Sequence, residues 1–210
     1  MSQAVPGTRT HPMMVRLTHW INAGAVALML GSGWRIYNAS PIFGFMFPAW
    51  ITLGGWLGGA LAIHFAATWL LAGNFVVYVA YGLAAGHLRR RLLPIRFSDV
   101  RRDFVVALRF RLAHRPGVYN AVQRLLYVLV GLAIAGVIIS GLAVWKPVQL
   151  QPLATLLGGY EGARRVHFLA MSGIAGFLAV HLALVAIVPR SLAPMVTGRT
   201  PDHETVGGLP

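Results

Sequence analysis

The sequence predicts an all-α protein, a bundle of four transmembrane helices with both termini on the cytoplasmic side. Three observations carry that prediction. Of 210 residues, 57% are hydrophobic and only 11% charged, a composition outside the range of soluble domains. Four apolar stretches, over about 17–37, 55–85, 122–145 and 165–188, are each long enough for the roughly 20 helical residues that cross a hydrocarbon core. Lipid offers the backbone no hydrogen-bond partners, so spans of this length are helical. The alternation of a membrane β-barrel, in pieces of about ten residues, is not visible. Third, fourteen basic residues fall on the side of the termini and of the loop joining spans two and three, against Arg35, Lys146, Arg164 and Arg165 on the other side. That bias places the termini and the long loop in the cytoplasm.

The elements follow in order. The first span has a basic flank, Arg9 and Arg16, but it is too long for a signal peptide and no A-x-A-like site closes it, so it reads as retained. The second apolar run begins near Trp50 and exceeds one perpendicular crossing; its glycine-rich start (Gly54, Gly55, Gly58, Gly59) reads as a lead-in. The loop from Gly86 to Asn120 is long for a helix connection. Within it Phe104, Val105, Leu108 and Leu112 recur at helical spacing among arginines, the pattern of an amphipathic helix lying on the membrane face. Pro116-Gly117 ends it. One membrane domain is expected over 1–198, with a polar tail at 199–210.

The net charge of +13 does not imply nucleic acid. Ten of the eighteen basic residues lie between Arg89 and Arg124, where they face anionic lipid. Cysteine is absent, which excludes disulfides, thiolate-held iron–sulfur clusters and covalent haem attachment. Any haem held by this chain is b-type.

Four of eight histidines lie in the spans: His19, His64, His167 and His181. Intramembrane ionisable groups are costly and face the bundle interior, so each is a functional candidate. A single one also serves as a hydrogen-bonded helix contact. His167 and His181 are 14 residues apart, about 21 Å along a helix and nearly on one face. That placement suits two cofactors stacked across the membrane. His64 lies 22 residues before Gly86 and His167 lies 22 before Pro189, whereas His181 lies only eight before Pro189 and His19 is near the start of span one. Equal depth pairs His64 with His167 on the periplasmic side, and His19 with His181 on the cytoplasmic side. Arg16 and Arg164 each stand three residues before one of these histidines, with Arg165 adjacent; guanidinium groups suit haem propionates, and arginines also mark helix ends. Gly24, Gly31, Gly131, Gly136, Gly141, Gly173 and Gly176 either admit a flat macrocycle or pack helices. His87 and His114 sit in the basic loop, and His11 and His203 are terminal.

His19-Trp20, one histidine in span two, and the 14-residue pair in span four together resemble the bacterial membrane di-haem cytochrome b family, which includes cytochrome b561, hydrogenase b subunits and the γ subunit of formate dehydrogenase. Tyr119-Asn120-x-x-Gln123-Arg124 is similar to that family's stretch opening helix three, and the likeness covers about residues 10–198. It implies two haems b with the four histidines as axial ligands, in a multi-pass protein of the bacterial inner membrane. It also implies an electron-transfer subunit of a respiratory oxidoreductase, passing electrons between the quinone pool and a periplasmic partner, a hydrogenase or molybdopterin enzyme. The Arg164-Arg165-x-His167-Phe168 segment is similar to cytochromes that accompany molybdopterin enzymes. Quinone chemistry needs proton exchange, for which Asn74, Tyr78, His87, Tyr119, Asn120 and Gln123 are candidates; the tyrosines also fit an interfacial aromatic belt. Two other readings stand beside this one. A superoxide:quinone oxidoreductase would use the same scaffold, and a histidine-based proton transporter is opposed by the absence of acidic residues from the spans.

Overall fold

The computed structural model describes residues 12–84, 86, 94–108, 120–189 and 192–198. Helix α1 spans Met13–Ala39, α2 Leu57–Ala84, α3 Phe97–Leu108, α4 Ala121–Trp145, α5 Gln151–Leu156, α6 Gly159–Ile187 and α7 Leu192–Thr197. Four of these, α1, α2, α4 and α6, are long and apolar enough to cross a membrane. The largest departure from expectation is α6, which starts at Gly159 rather than near Arg165. Its polar first turn continues the helix beyond the apolar stretch, supported by an Arg164–Glu161 ion pair at 3.0 Å one turn apart.

The amphipathic helix expected in the long loop is present as α3, with Phe104 and Val105 exposed where an interfacial helix would meet lipid. Leu112, Pro116-Gly117 and the 199–210 tail lie outside the described residues. Asp103 on α3 accepts a hydrogen bond from the Ala121 N–H at 2.9 Å. This puts a carboxylate at the positive end of α4. Asn120 and Gln123 complete that end as a reciprocal capping box: Asn120 Oδ1 accepts from the Gln123 N–H at 2.8 Å, and Gln123 Oε1 from the Asn120 N–H at 3.2 Å.

The long helices pack as two antiparallel hairpins, α1 along α2 and α4 along α6, and direct approach between hairpins is sparse, chiefly α2 against α4. Lipid is as apolar as the side chains, so close packing and hydrogen bonds hold such helices together. Accordingly Ala25, Ala60, Ala143 and Ala163 are fully buried. All four helices meet in one midplane cluster of Ala25, Leu71, Ile134, Val137 and Ile174. Nearer the termini, Asn74 on α2 donates to the Thr18 carbonyl at 2.8 Å and to Asn22 Oδ1 at 2.7 Å, both on α1.

The connection between α1 and α2 folds back on α1. Asn38 pairs with the backbone of Phe47 through both its amide atoms, at 2.8 and 2.9 Å, and Phe47 stacks on Trp34. Gly54 has φ +104, and a Cβ there would collide with the backbone of Ala60, so only glycine permits this turn into α2. Tyr37, Phe43 and Phe45 gather around Phe168 of α6. Arg164 adds bonds to the carbonyl and hydroxyl of Ser40, so the end of α1 is tied to the start of α6.

Asn74→Ala removes the polar tie between α1 and α2 and is expected to lower stability in detergent by about 1 kcal/mol, the scale of interhelical hydrogen bonds in membranes. Thermal unfolding followed by circular dichroism measures it; an unchanged midpoint would show that the bonds to Thr18 and Asn22 contribute nothing.

Candidate metal centres

Each hairpin brings two of the four intramembrane histidines to the interface between hairpins. His19 on α1 faces His181 on α6 with ring centroids 6.0 Å apart, and His64 on α2 faces His167 on α6 at 6.3 Å. The first pair lies toward the chain termini and the second toward the helix connections. The pairing follows the depths counted along the sequence, and the crossed arrangement does not occur. Two imidazoles bound to one metal from opposite faces, each through a bond of about 2.0–2.1 Å, would have centroids about 6.4 Å apart. Both pairs have the spacing of a bis-histidine centre.

Among the described residues no group of three or more His, Cys, Asp or Glu side chains gathers. The histidines come in twos, the protein donor count for an iron whose other ligands are the nitrogens of a porphyrin. The ring orientations also fit. Ser32 Oγ lies 3.0 Å from His64 Nδ1 and Ser140 Oγ lies 3.2 Å from His167 Nδ1. With Nδ1 engaged inside its own hairpin, each ring keeps Nε2 for a metal, the arrangement that orients ligating histidines in general. His181 stacks on Phe177 at 5.9 Å, and His19 meets Trp20 edge to face at 5.4 Å.

A Cβ added at Gly24, Gly131, Gly173 or Gly176 would meet nothing within 4 Å, and Gly24, Gly173 and Gly176 are exposed. Gly136 packs on Ala170 and Gly31 on Leu53, whereas Gly33 and Gly141 lie against the rings of His64 and His167. An apolar cavity bounded by Val26, Met29, Leu71, Met171 and Ile174 opens beside His167.

The candidate arginines and amides make contacts within the chain, beginning with Arg16. Its guanidinium binds the carbonyls of Met195 and Val196 at the end of α7, where a cation complements the helix terminus. Trp20 Nε1 donates to the same Met195 carbonyl at 3.1 Å. Arg164 is engaged by Glu161 and Ser40. Arg165 is exposed and stands two residues before His167, a spacing that puts the two side chains on different faces of α6. Asn120 and Gln123 spend their carbonyl oxygens on the α4 cap, which leaves their amide N–H groups as donors. Tyr119, His87, His114, His11 and His203 lie outside the described residues.

Sequence reading missed Ser32, Gly33 and Ser140, and named Gly141 only among the small residues of the spans. The signal was present as a Ser-Gly dipeptide on α1 and another on α4, but only packing shows that each dipeptide lies against an imidazole.

A family model described as prokaryotic cytochrome b561 matches residues 10–198. A putative protein-methionine-sulfoxide reductase subunit, YedZ1, of Azospira oryzae is 48% identical over 189 residues, covering 90% of this chain and 96% of that protein. Together with the four apolar helices, these matches establish that the chain belongs to the prokaryotic cytochrome b561 family of multi-pass b-type cytochromes of the bacterial inner membrane.

Proposed function

We propose that the chain holds two haems b, one between His64 and His167 and one between His19 and His181, and conducts electrons from the quinone pool to a periplasmic reductase. The observation that carries this reading is the double pairing. Two histidines of one hairpin oppose two of the other at 6.3 and 6.0 Å, with a whole apolar layer between the pairs. Each haem, when bound, supplies one-electron exchange between ferric and ferrous iron.

The chain's own residues do the rest. The histidines would hold the metal, and Arg16, Arg164 and Arg165 are the candidate guanidinium groups for propionates. The arginine bias sets both termini, α3 and the His19/His181 pair on the cytoplasmic side. Asn120 and Gln123, at the start of α4 on that side, present amide donors to quinone carbonyl oxygens. Oxidation of a quinol there releases two electrons and two protons, and the electrons leave at the His64/His167 side. The membrane domain takes in residues up to 198, followed by the polar tail.

The relative's name supports the identity of the partner. We take it to be a protein that reduces methionine sulfoxide, of the molybdopterin class to which the Arg164–Phe168 segment bears a likeness. Reducing one sulfoxide to a thioether and water consumes the two electrons of one quinol together with two protons.

Purified protein is expected to carry two haems b per chain, and a redox-titrated visible spectrum should resolve both. His64→Ala and His181→Ala should each abolish a different one. Loss of the same haem in both variants would overturn the pairing, and a haem-free protein from haem-replete cells would overturn the function. For the partner, reduced cytochrome in liposomes should be reoxidised when a methionine-sulfoxide reductase of this class and an oxidised-methionine protein are supplied together. A spectrum that stays reduced would exclude that partner.

A further inference from the structure

We propose that Ser32-Gly33 on α1 and Ser140-Gly141 on α4 form two matched clamps, which fix the tautomer and rotation of His64 and His167 and thereby set the potential of the haem between them. This inference rests on the reading of these two histidines as haem ligands.

The serines determine where the imidazole protons sit. A hydroxyl has one proton to donate. Ser32 points it at the carbonyl of Leu28, 2.6 Å away, and Ser140 points it at the carbonyl of Gly136, 2.5 Å away. Each oxygen can then only accept from the ring nitrogen beside it, so Nδ1 carries the proton and Nε2 keeps its lone pair for iron. Both serines are fully buried, so water cannot take over as acceptor.

The glycines determine how close each ring comes. A Cβ at Gly33 would stand 3.3 Å from Cε1 of His64, and one at Gly141 would stand 3.2 Å from Cε1 of His167. Both are tighter than ordinary carbon contacts, so any side chain there would displace the ring. Serine hydroxyls bonded back to their own helix are common in membrane helices and need no cofactor. That habit does not account for an imidazole on the hydroxyl, a glycine directly after it, and the same triple in both hairpins. The other pair is set differently, with His19 against Trp20 and His181 stacked on Phe177.

An imidazole whose Nδ1–H has an acceptor is a stronger donor and favours ferric iron. Removing both serine acceptors should therefore raise the potential of one haem and leave the other in place. The full-length haem protein in detergent is titrated by visible spectroscopy and low-temperature electron paramagnetic resonance. The Ser32→Ala/Ser140→Ala double variant is expected to lose about tenfold in ferric-over-ferrous preference at one haem, about 59 mV upward for a one-electron couple. Ser32→Thr/Ser140→Thr, which keeps both hydroxyls, should stay near wild type. Gly33→Ala/Gly141→Ala should move the resonance of the same haem by turning its rings. Wild-type potentials in the alanine variant with both haems present would overturn the clamp while leaving the two-haem reading intact. If the alanine variant instead loses one haem, its retention in the threonine variant supports the clamp, and equal loss in both overturns it. A wild type without haem at these histidines would remove the reading and the clamp together.

Discussion

The structure depends on the fact that its two hairpins are each well packed but are scarcely packed against one another. α1 and α2 close on small residues and on the amide of Asn74, and α4 and α6 close on Ala143 and Ala163, both fully buried. Between the hairpins the direct joins are a midplane layer of apolar side chains and a few contacts near the connections. Apolar helices in lipid gain little from merely lying side by side. The histidines stand in this sparsely filled space, facing each other at a metal-bridging distance. In the proposed reading, the four histidines would tie the hairpins together through the bound groups, and a group that binds only the assembled bundle would stabilise it by mass action. Cofactor and fold are then coupled: the site is the seam of the bundle.

The polar ties at the two ends support this view. Arg164 joins the start of α6 to the end of α1 through Ser40, and Arg16 and Trp20 near the start of α1 hold the carbonyls closing α7. Each links elements far apart in the chain, and each lies within one turn of a histidine-bearing segment. An arginine at a helix end can neutralise exposed carbonyls as readily as a carboxylate ligand. The structure shows both of these arginines so engaged.

This explains what the sequence did and did not disclose. The four spans were legible because hydrocarbon thickness imposes a length and lipid imposes a helix. The histidine pairing was legible because depth in a membrane can be counted in residues from a known boundary. Helix ends were less so: α6 begins six residues before the expected start, since an ion-paired polar turn extends a helix without extending its apolar stretch. Side-chain assignments were least legible. An arginine one turn from a histidine has the same spacing whether it meets a propionate, an acidic neighbour or a helix terminus. Asn120 and Gln123 match a capping box by spacing alone. The Ser-Gly dipeptides were invisible as function because serine and glycine are common in membrane helices, and only packing across a hairpin places them on an imidazole.

The same layer that joins the hairpins also limits what can cross the membrane. Ala25, Leu71, Ile134, Val137 and Ile174 offer no side-chain proton donor or acceptor. The five acidic residues of the chain, Asp99, Asp103, Glu161, Asp202 and Glu204, lie outside the apolar spans. A proton path needs a succession of polar groups or water, and a charge brought into this layer would be strongly disfavoured. An electron moving between two fixed metal centres needs neither. In the proposed reading, protons released by a quinol on the cytoplasmic side would remain there, and a sulfoxide reduced on the other side would draw its protons locally. The bundle would then conduct electrons and block protons with the same residues that hold its four helices together.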